Sequence, residues 1–195
     1  YFVNKIWNVA KFIQMNIEDY EVSETDAPPS LADRWIRSRL NLVVEEVTKG
    51  LDEYRFNEAA AAIYQFIWHE LCDWYVEMVK LVLYGKSSAG SRQAAQSTLL
   101  FVLTESLKLV HPFMPFVTEE LWQQLLNPGK SIMVSDFPQA DAARHDAEAE
   151  RHMESAMGVI TTIRNIRGEM GIPPSKKLQV LIHPPHDEMK AILLN

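Results

Sequence analysis

Residues 58–84 read EAAAAIYQFIWHELCDWYVEMVKLVLY, a stretch with neither proline nor glycine. Ile63, Phe66, Ile67, Leu71, Trp74, Met78 and Leu81 recur at helical spacing, with Glu and Lys between them. The pattern predicts a long buried central helix, and Asn57 just ahead of it is placed to act as N-cap. On its N-terminal side, Ser30 caps a second long stripe of Ile36, Leu40, Val43, Val44, Val47, Leu51 and Tyr54. Two prolines close the acidic linker 16–30 before that cap. Earlier still, Phe2, Ile6, Val9 and Ile13 share one face of a helix over about residues 2–15. On the C-terminal side, GKSSAGS at 85–91 is a loop, and a further helix runs from about Arg92 to Val110 through Ala95, Leu99, Val102, Leu103 and Ser106. HPFMP at 111–115 breaks it, and Pro115 opens FVTEELWQQLL, closed by Asn127, Pro128 and Gly129.

Beyond 140 the composition shifts to Ala, Asp, Glu and His. A helix is expected from about 146 to 170, with Met153, Met157, Ile160 and Ile163 inward; GIPPSKK stops it. KLQVLIH at 177–183 alternates like a strand, and HDEMKAILL at 186–194 starts another helix. The expected fold is mainly α: an antiparallel helical bundle over 1–140, then, over 141–195, a long helix and the truncated start of a small α/β element. Neither end carries a cap or stop signal, so the chain reads as a piece of a longer protein.

With 195 residues, 47% hydrophobic and 7 glycines, the chain can bury a real core and favours helices over sheets. A single cysteine, Cys72, forms no internal disulfide, which fits a reduced, cytoplasmic setting, and no apolar run is long enough for a membrane span. The net charge of −7 argues against diffuse phosphate binding, so any RNA contact must be local.

Three groups of residues could carry chemistry. On the outer face of the first helix, Asn4, Asn8, Lys11 and Phe12 lie away from the apolar stripe. A ring can stack on an unpaired base, an amide can bond its edge and an ammonium can meet phosphate; equally, Phe12 can pack against a neighbouring helix. In WHELCDWYVE at 68–77, His69 and Asp73 have metal-ligand spacing but no third ligand, so a polar stripe on a buried helix is the better reading and no metal is expected. Val76 falls near the polar side with His69 and Lys80, as an apolar contact point. The third group is basic: Arg164 and Arg167 on one helix face, with Lys176 and Lys177 beyond, suited to phosphate or to pairing with Glu169. No nucleophile elbow, P-loop or dinucleotide fingerprint occurs.

NKIWNVAKF (4–12), LADRWIRSRLN (31–41), AIYQFIWHELCDWYVE (62–77), HPFMPFVTEELW (111–122) and IRNIRGEMGIPPSK (163–176), in that order, resemble the region after the catalytic domain of valyl-tRNA synthetases. CDWYVE followed by Lys80 separates this from the isoleucyl and leucyl enzymes. The resemblance implies a bundle that holds the anticodon stem and loop of valine tRNA, within a class I ligase that spends ATP to attach valine. The HIGH and KMSKS motifs are absent from these residues, so the chain itself is expected to bind no ATP and to have no catalytic residue. The positions implied to meet RNA are Asn8, Lys11, Phe12 and Val76; Lys11 stands where relatives carry Arg, a point charge in place of a planar fork. Asp33, Arg34, Arg37, Glu70 and Asp73 read as ties between helices. The expected partners are valine tRNA and the remaining domains of the same ligase, with a monomeric, cytoplasmic chain. The competing readings are a protein-interaction bundle in which Phe12 and Val76 form a docking patch, and the same domain from a related isoleucyl or leucyl enzyme.

Overall fold

The computed structural model describes residues 1–20, 27–85, 87–124, 129–173, 175–183 and 190. The chain divides into two compact units, Tyr1–Asp146 and Ala147–Asn195. In the first, α1 (Phe2–Asn16), α2 (Leu31–Asp52), α3 (Phe56–Gln65), a π-helical stretch (Phe66–Tyr75), α4 (Val76–Tyr84), α5 (Ala89–Val110) and α6 (Pro115–Gln124) form the predicted bundle. Pairings fix its directions. Asp33 with Tyr75 and Arg39 with Glu70 make α2 antiparallel to α3–α4, whereas Lys5 with Asp73 and Phe12 with Lys80 make α1 parallel to them.

Ser30 caps α2 in full: its hydroxyl accepts from Asp33 N, and Asp33 accepts in return from the Ser30 backbone N–H at 2.9 Å. Gly50, near the end of α2, lies so close to α3 that an added Cβ would stand 3.2 Å from Ala59 Cβ, which sets how near the two helices pack. The α5 stripe stands as predicted, with Ala95, Leu99, Val102, Leu103 and Ser106 buried, and the α2 stripe stands from Ile36 through Leu40, Val43 and Val44 to Val47, while Leu51 is only half-buried.

Four expectations need correction. Tyr54 is exposed, because α2 ends at Asp52 and Tyr54 takes a φ of 58° in the turn that reverses the chain. α3 starts at Phe56 behind Arg55, without a side-chain cap from Asn57. α5 starts at Ala89, earlier than Arg92, because the Ser88 side chain accepts from Ser91 N and caps it. The fourth is larger. Residues 66–75 close their turns on the fifth residue, not the fourth, so the apolar stripe slips in phase. Tyr75 and Val76 turn inward to 0% and 7% exposure, and Leu81, expected in the core, is 76% exposed.

In the second unit α7 spans Ala147–Glu169. Met153 is buried, Met157 and Ile163 half-buried, and Ile160 exposed, so the predicted inward stripe holds only at its start. Residues 177–183 form no strand, a correction to the alternating-strand reading: a strand needs a ladder partner, and here Val180, Leu181 and Ile182 line an apolar groove of about 530 Å³ with Val159, Ile163 and Ile166 of α7. Of the helix expected over 186–194 only Lys190 is described, and the closing residues Asn127 and Pro128 lie outside the described residues. Among the described residues no helix is long and apolar enough to cross a membrane.

Candidate nucleic-acid interface

α1 buries Ile6, Val9, Ala10 and Ile13 and presents Asn4, Asn8 and Met15 to solvent. Its two flanks are held differently. On one side Lys11 donates to Gln14 Oε1 at 3.1 Å and to Gln124 Oε1 of α6 at 2.5 Å, with its ammonium 5.6 Å from the Trp7 ring centroid. Gln14 adds a bond to the Gln124 carbonyl at 3.0 Å. On the other side the half-buried Phe12 ring faces Lys80 of α4, whose Nζ lies 5.6 Å from the ring centroid. Asn8 projects between these flanks, so Asn8, Lys11 and Phe12 come together on one ridge, as the wheel predicted.

Val76 does not join that surface. The parallel pairing of α1 with α4 sets it level with Asn8, but at 7% exposure its side chain belongs to the core. A uniform helical period puts it on the polar side with His69; the wider turns before it rotate it inward. Lys80 and Gln124 are the residues sequence reasoning missed. Lys80 stands in the discriminating motif, yet its partner is 68 positions away, and nothing local connects Gln124 with Lys11.

The π-helical stretch also explains how α1 is anchored. Lys5 Nζ donates to Asp73 Oδ1 at 2.8 Å and lies 4.7 Å from the Trp68 ring centroid. Trp68 and Asp73 are five apart, and residues five apart share a face only where turns close on the fifth residue. Hydrogen bonding to Asp73 raises the Lys5 pKa above its usual value. His69 Nδ1 lies 3.3 Å from Asp73 Oδ2, so that carboxylate is already occupied twice. Among the described residues no three His, Cys, Asp or Glu side chains gather around a metal-sized point.

The other polar residues are ties. Asp33, 2% exposed, accepts from the Tyr75 hydroxyl at 2.5 Å while capping α2. Burial, and then the charge of Asp33, hold the Tyr75 hydroxyl well above its usual pKa. Arg34 makes a two-pronged pair with Asp146 at 2.7 and 3.0 Å, Arg37 donates to Thr98 Oγ1 at 3.0 Å, and Arg39 forks onto Glu70. Burial pushes the Cys72 thiol up to about 12, so it carries no thiolate at neutral pH. In the second unit Arg164 is exposed, whereas Arg167 donates to the carbonyls of Pro173 and Lys176 at 2.7 and 3.0 Å and closes the end of α7.

A family model described as the anticodon-binding domain of tRNA ligase matches residues 33–182. Among curated relatives, the valine–tRNA ligase of Bacillus cereus (strain ATCC 10987) is 45% identical over 183 residues, 93% of this chain and 21% of that protein. The valine–tRNA ligase of Carboxydothermus hydrogenoformans is 44% identical over 193 residues, 98% of this chain and 22% of that one. That of Syntrophotalea carbinolica is 46% identical over 186 residues. The chain thus spans about a fifth of the length of these relatives. A solved structure of similar fold is the LeuRS of Agrobacterium radiobacter K84 in a ternary complex with tRNA and LeuAMS, with a TM-score of 0.52, 20% identity and coverage of 75% of this chain and 17% of that one. The bundle and the match over residues 33–182 converge: this chain belongs to the family of anticodon-binding domains of tRNA ligases.

Proposed function

We propose that this chain is the anticodon-recognising part of a valine–tRNA ligase, and that the α1 ridge of Asn8, Lys11 and Phe12 meets the anticodon loop. The observation that carries the reading is the ridge itself: exposed amides between a half-buried ring and a positioned ammonium, on a helix anchored by Lys5 to Asp73 and by Lys11 to Gln124. Stacking and base-edge bonding require groups that are rigid before RNA arrives, because ordering them on binding costs affinity. The lysine of the ridge is held by two glutamines, so it suits a phosphate at short range. Arg164 serves as a further backbone contact on α7; Arg167, already bonded to two carbonyls, shapes the helix end and adds charge. The identity to valine–tRNA ligases supports valine as the amino acid. ATP binding and aminoacylation then belong to parts of the ligase outside these residues, and the setting is the cytoplasm.

Titration of the chain with the anticodon stem-loop of valine tRNA, and with the same hairpin carrying another anticodon, tests this. Preference for the valine anticodon, weakened about tenfold or more by Phe12→Ala, is expected, since base–aromatic stacking contributes about 1–3 kcal/mol. Equal binding of both hairpins, unmoved by Phe12→Ala, ends the reading. Tighter binding of an isoleucine or leucine anticodon would reassign the amino acid. Light scattering tests the protein-interaction alternative: a monomer that gains mass only with RNA opposes it, and self-association without RNA favours it.

A further inference from the structure

One face of the half-buried Phe12 ring is already occupied. Lys80 holds its ammonium over it, 5.6 Å from the centroid, within cation–π range. The same ammonium is 2.6 Å from Glu77 Oε1, one turn back on α4, and both of those side chains are substantially exposed.

We propose that Lys80 is the second half of the nucleotide site: a lid on Phe12 in the free protein, displaced from the ring by the incoming base and transferred to that nucleotide's phosphate. This rests on the RNA reading of the α1 ridge. A stacked base and the ammonium compete for one ring face, because stacking brings ring atoms to van der Waals distance and leaves no room for a cation between them. Little holds the lid shut. An exposed i,i+3 ion pair is weak, and an exposed cation–π contact is weaker than a base stack, so the exchange runs toward the base. The displaced ammonium has somewhere to go: its four-carbon stem is flexible, and its three donors can keep Glu77 while taking a phosphate oxygen. Glu77 makes that role necessary. With Lys80 absent, a carboxylate would stand uncompensated beside the path of the RNA backbone on a chain whose net charge is already −7. With Lys80 present, the carboxylate is neutralised, and the edge no longer repels a phosphate.

The experiment is a titration of the 195-residue chain with the valine anticodon stem-loop at several salt concentrations, on the wild type, Lys80→Met, Lys80→Arg and Phe12→Ala. Lys80→Met is expected to weaken binding about tenfold at moderate salt and to reduce the slope of log K against log salt by roughly 0.7, the value for one lost phosphate contact on a single strand. Lys80→Arg should restore the slope. In the free protein the Lys80 ε-methylene resonances should be displaced upfield by the Phe12 ring current, and saturation with RNA should remove that displacement. A merely structural lysine would move neither the slope nor the resonance. An unchanged slope in Lys80→Met, or an ε-methylene that stays upfield in the saturated complex, overturns the proposal. The two readings fail separately: Phe12→Ala binding as tightly as wild type sinks the RNA reading, whereas loss of binding in Phe12→Ala beside an unchanged slope in Lys80→Met sinks only the lid.

Discussion

α1 and α7 carry the same kind of signal, polar and basic side chains along one helix face, yet the fold supports them very differently. α1 lies on a bundle core, with Ile6 and Ile13 essentially inaccessible, and Lys5 and Lys11 tie it to Asp73 and to Gln124 of α6. Ile160 and Ile166 of α7 are exposed, and its basic residues include one, Arg167, whose guanidinium serves the helix end. What a surface residue can do is therefore set by what lies under and beside it. A fixed amide or ring can discriminate between bases; an exposed arginine on a lightly packed helix can contribute charge.

The contrast predicts a steep difference in stability. Leu71→Ala, a truncation in the bundle core, should cost about 2–5 kcal/mol in urea unfolding, whereas Ile166→Ala on α7 should cost about 0.5 kcal/mol or less. Comparable losses at both sites would break the comparison. A smaller effect should appear in alkali. The Cys72 thiol is neutral in the fold up to about 12 against an ordinary 9.0. The stability it contributes is whole below pH 9 and is lost as pH rises from 9 to 12, because the unfolded chain gives up the proton first. Unfolding measured at pH 7 and pH 10 should differ by roughly 1.4 kcal/mol from this group. Cys72→Ala should flatten that fall; Tyr75 and Lys5, whose pKa values are also raised, add to it with the same sign at higher pH. The smallest effect concerns RNA. Arg164→Met should weaken binding of the valine stem-loop about equally for any anticodon, and change the salt slope by less than one contact's worth if α7 contributes charge alone. A loss of anticodon preference in Arg164→Met would move base recognition onto α7.

Most of the fold is legible in the sequence because the long helices of the bundle carry apolar stripes, and α2 also carries a capping residue at its start. Ser30 with Asp33 signals the head of α2 before any tertiary contact is known, and the stripe from Ile36 to Val47 follows from period alone. The site is legible in part. Asn8 and Phe12 can be placed on the outer face of α1 by counting, but what holds Phe12 cannot, because Lys80 approaches from another helix. Val76 is misplaced by counting for a sharper reason: the period is not constant over residues 66–75. Tyr54 and residues 177–183 fail where a turn or a missing ladder partner overrides local pattern.

That change of period has a consequence for how such a surface can be altered. A helix wound uniformly can lose or gain a residue only by swinging every later position about 100° around its axis. One with a wide-wound stretch can take up such a change there, because a turn that closes on the fifth residue can tighten to close on the fourth, with less rotation of the positions downstream. Deleting Trp74, just after Asp73, would keep Trp68 and Asp73 against Lys5 and shift the aim of Lys80 at Phe12 by less than the same loss in a uniform helix, as a vernier shifts one scale finely against another. The aim of Lys80 is thus finely adjustable by chain length as well as by substitution.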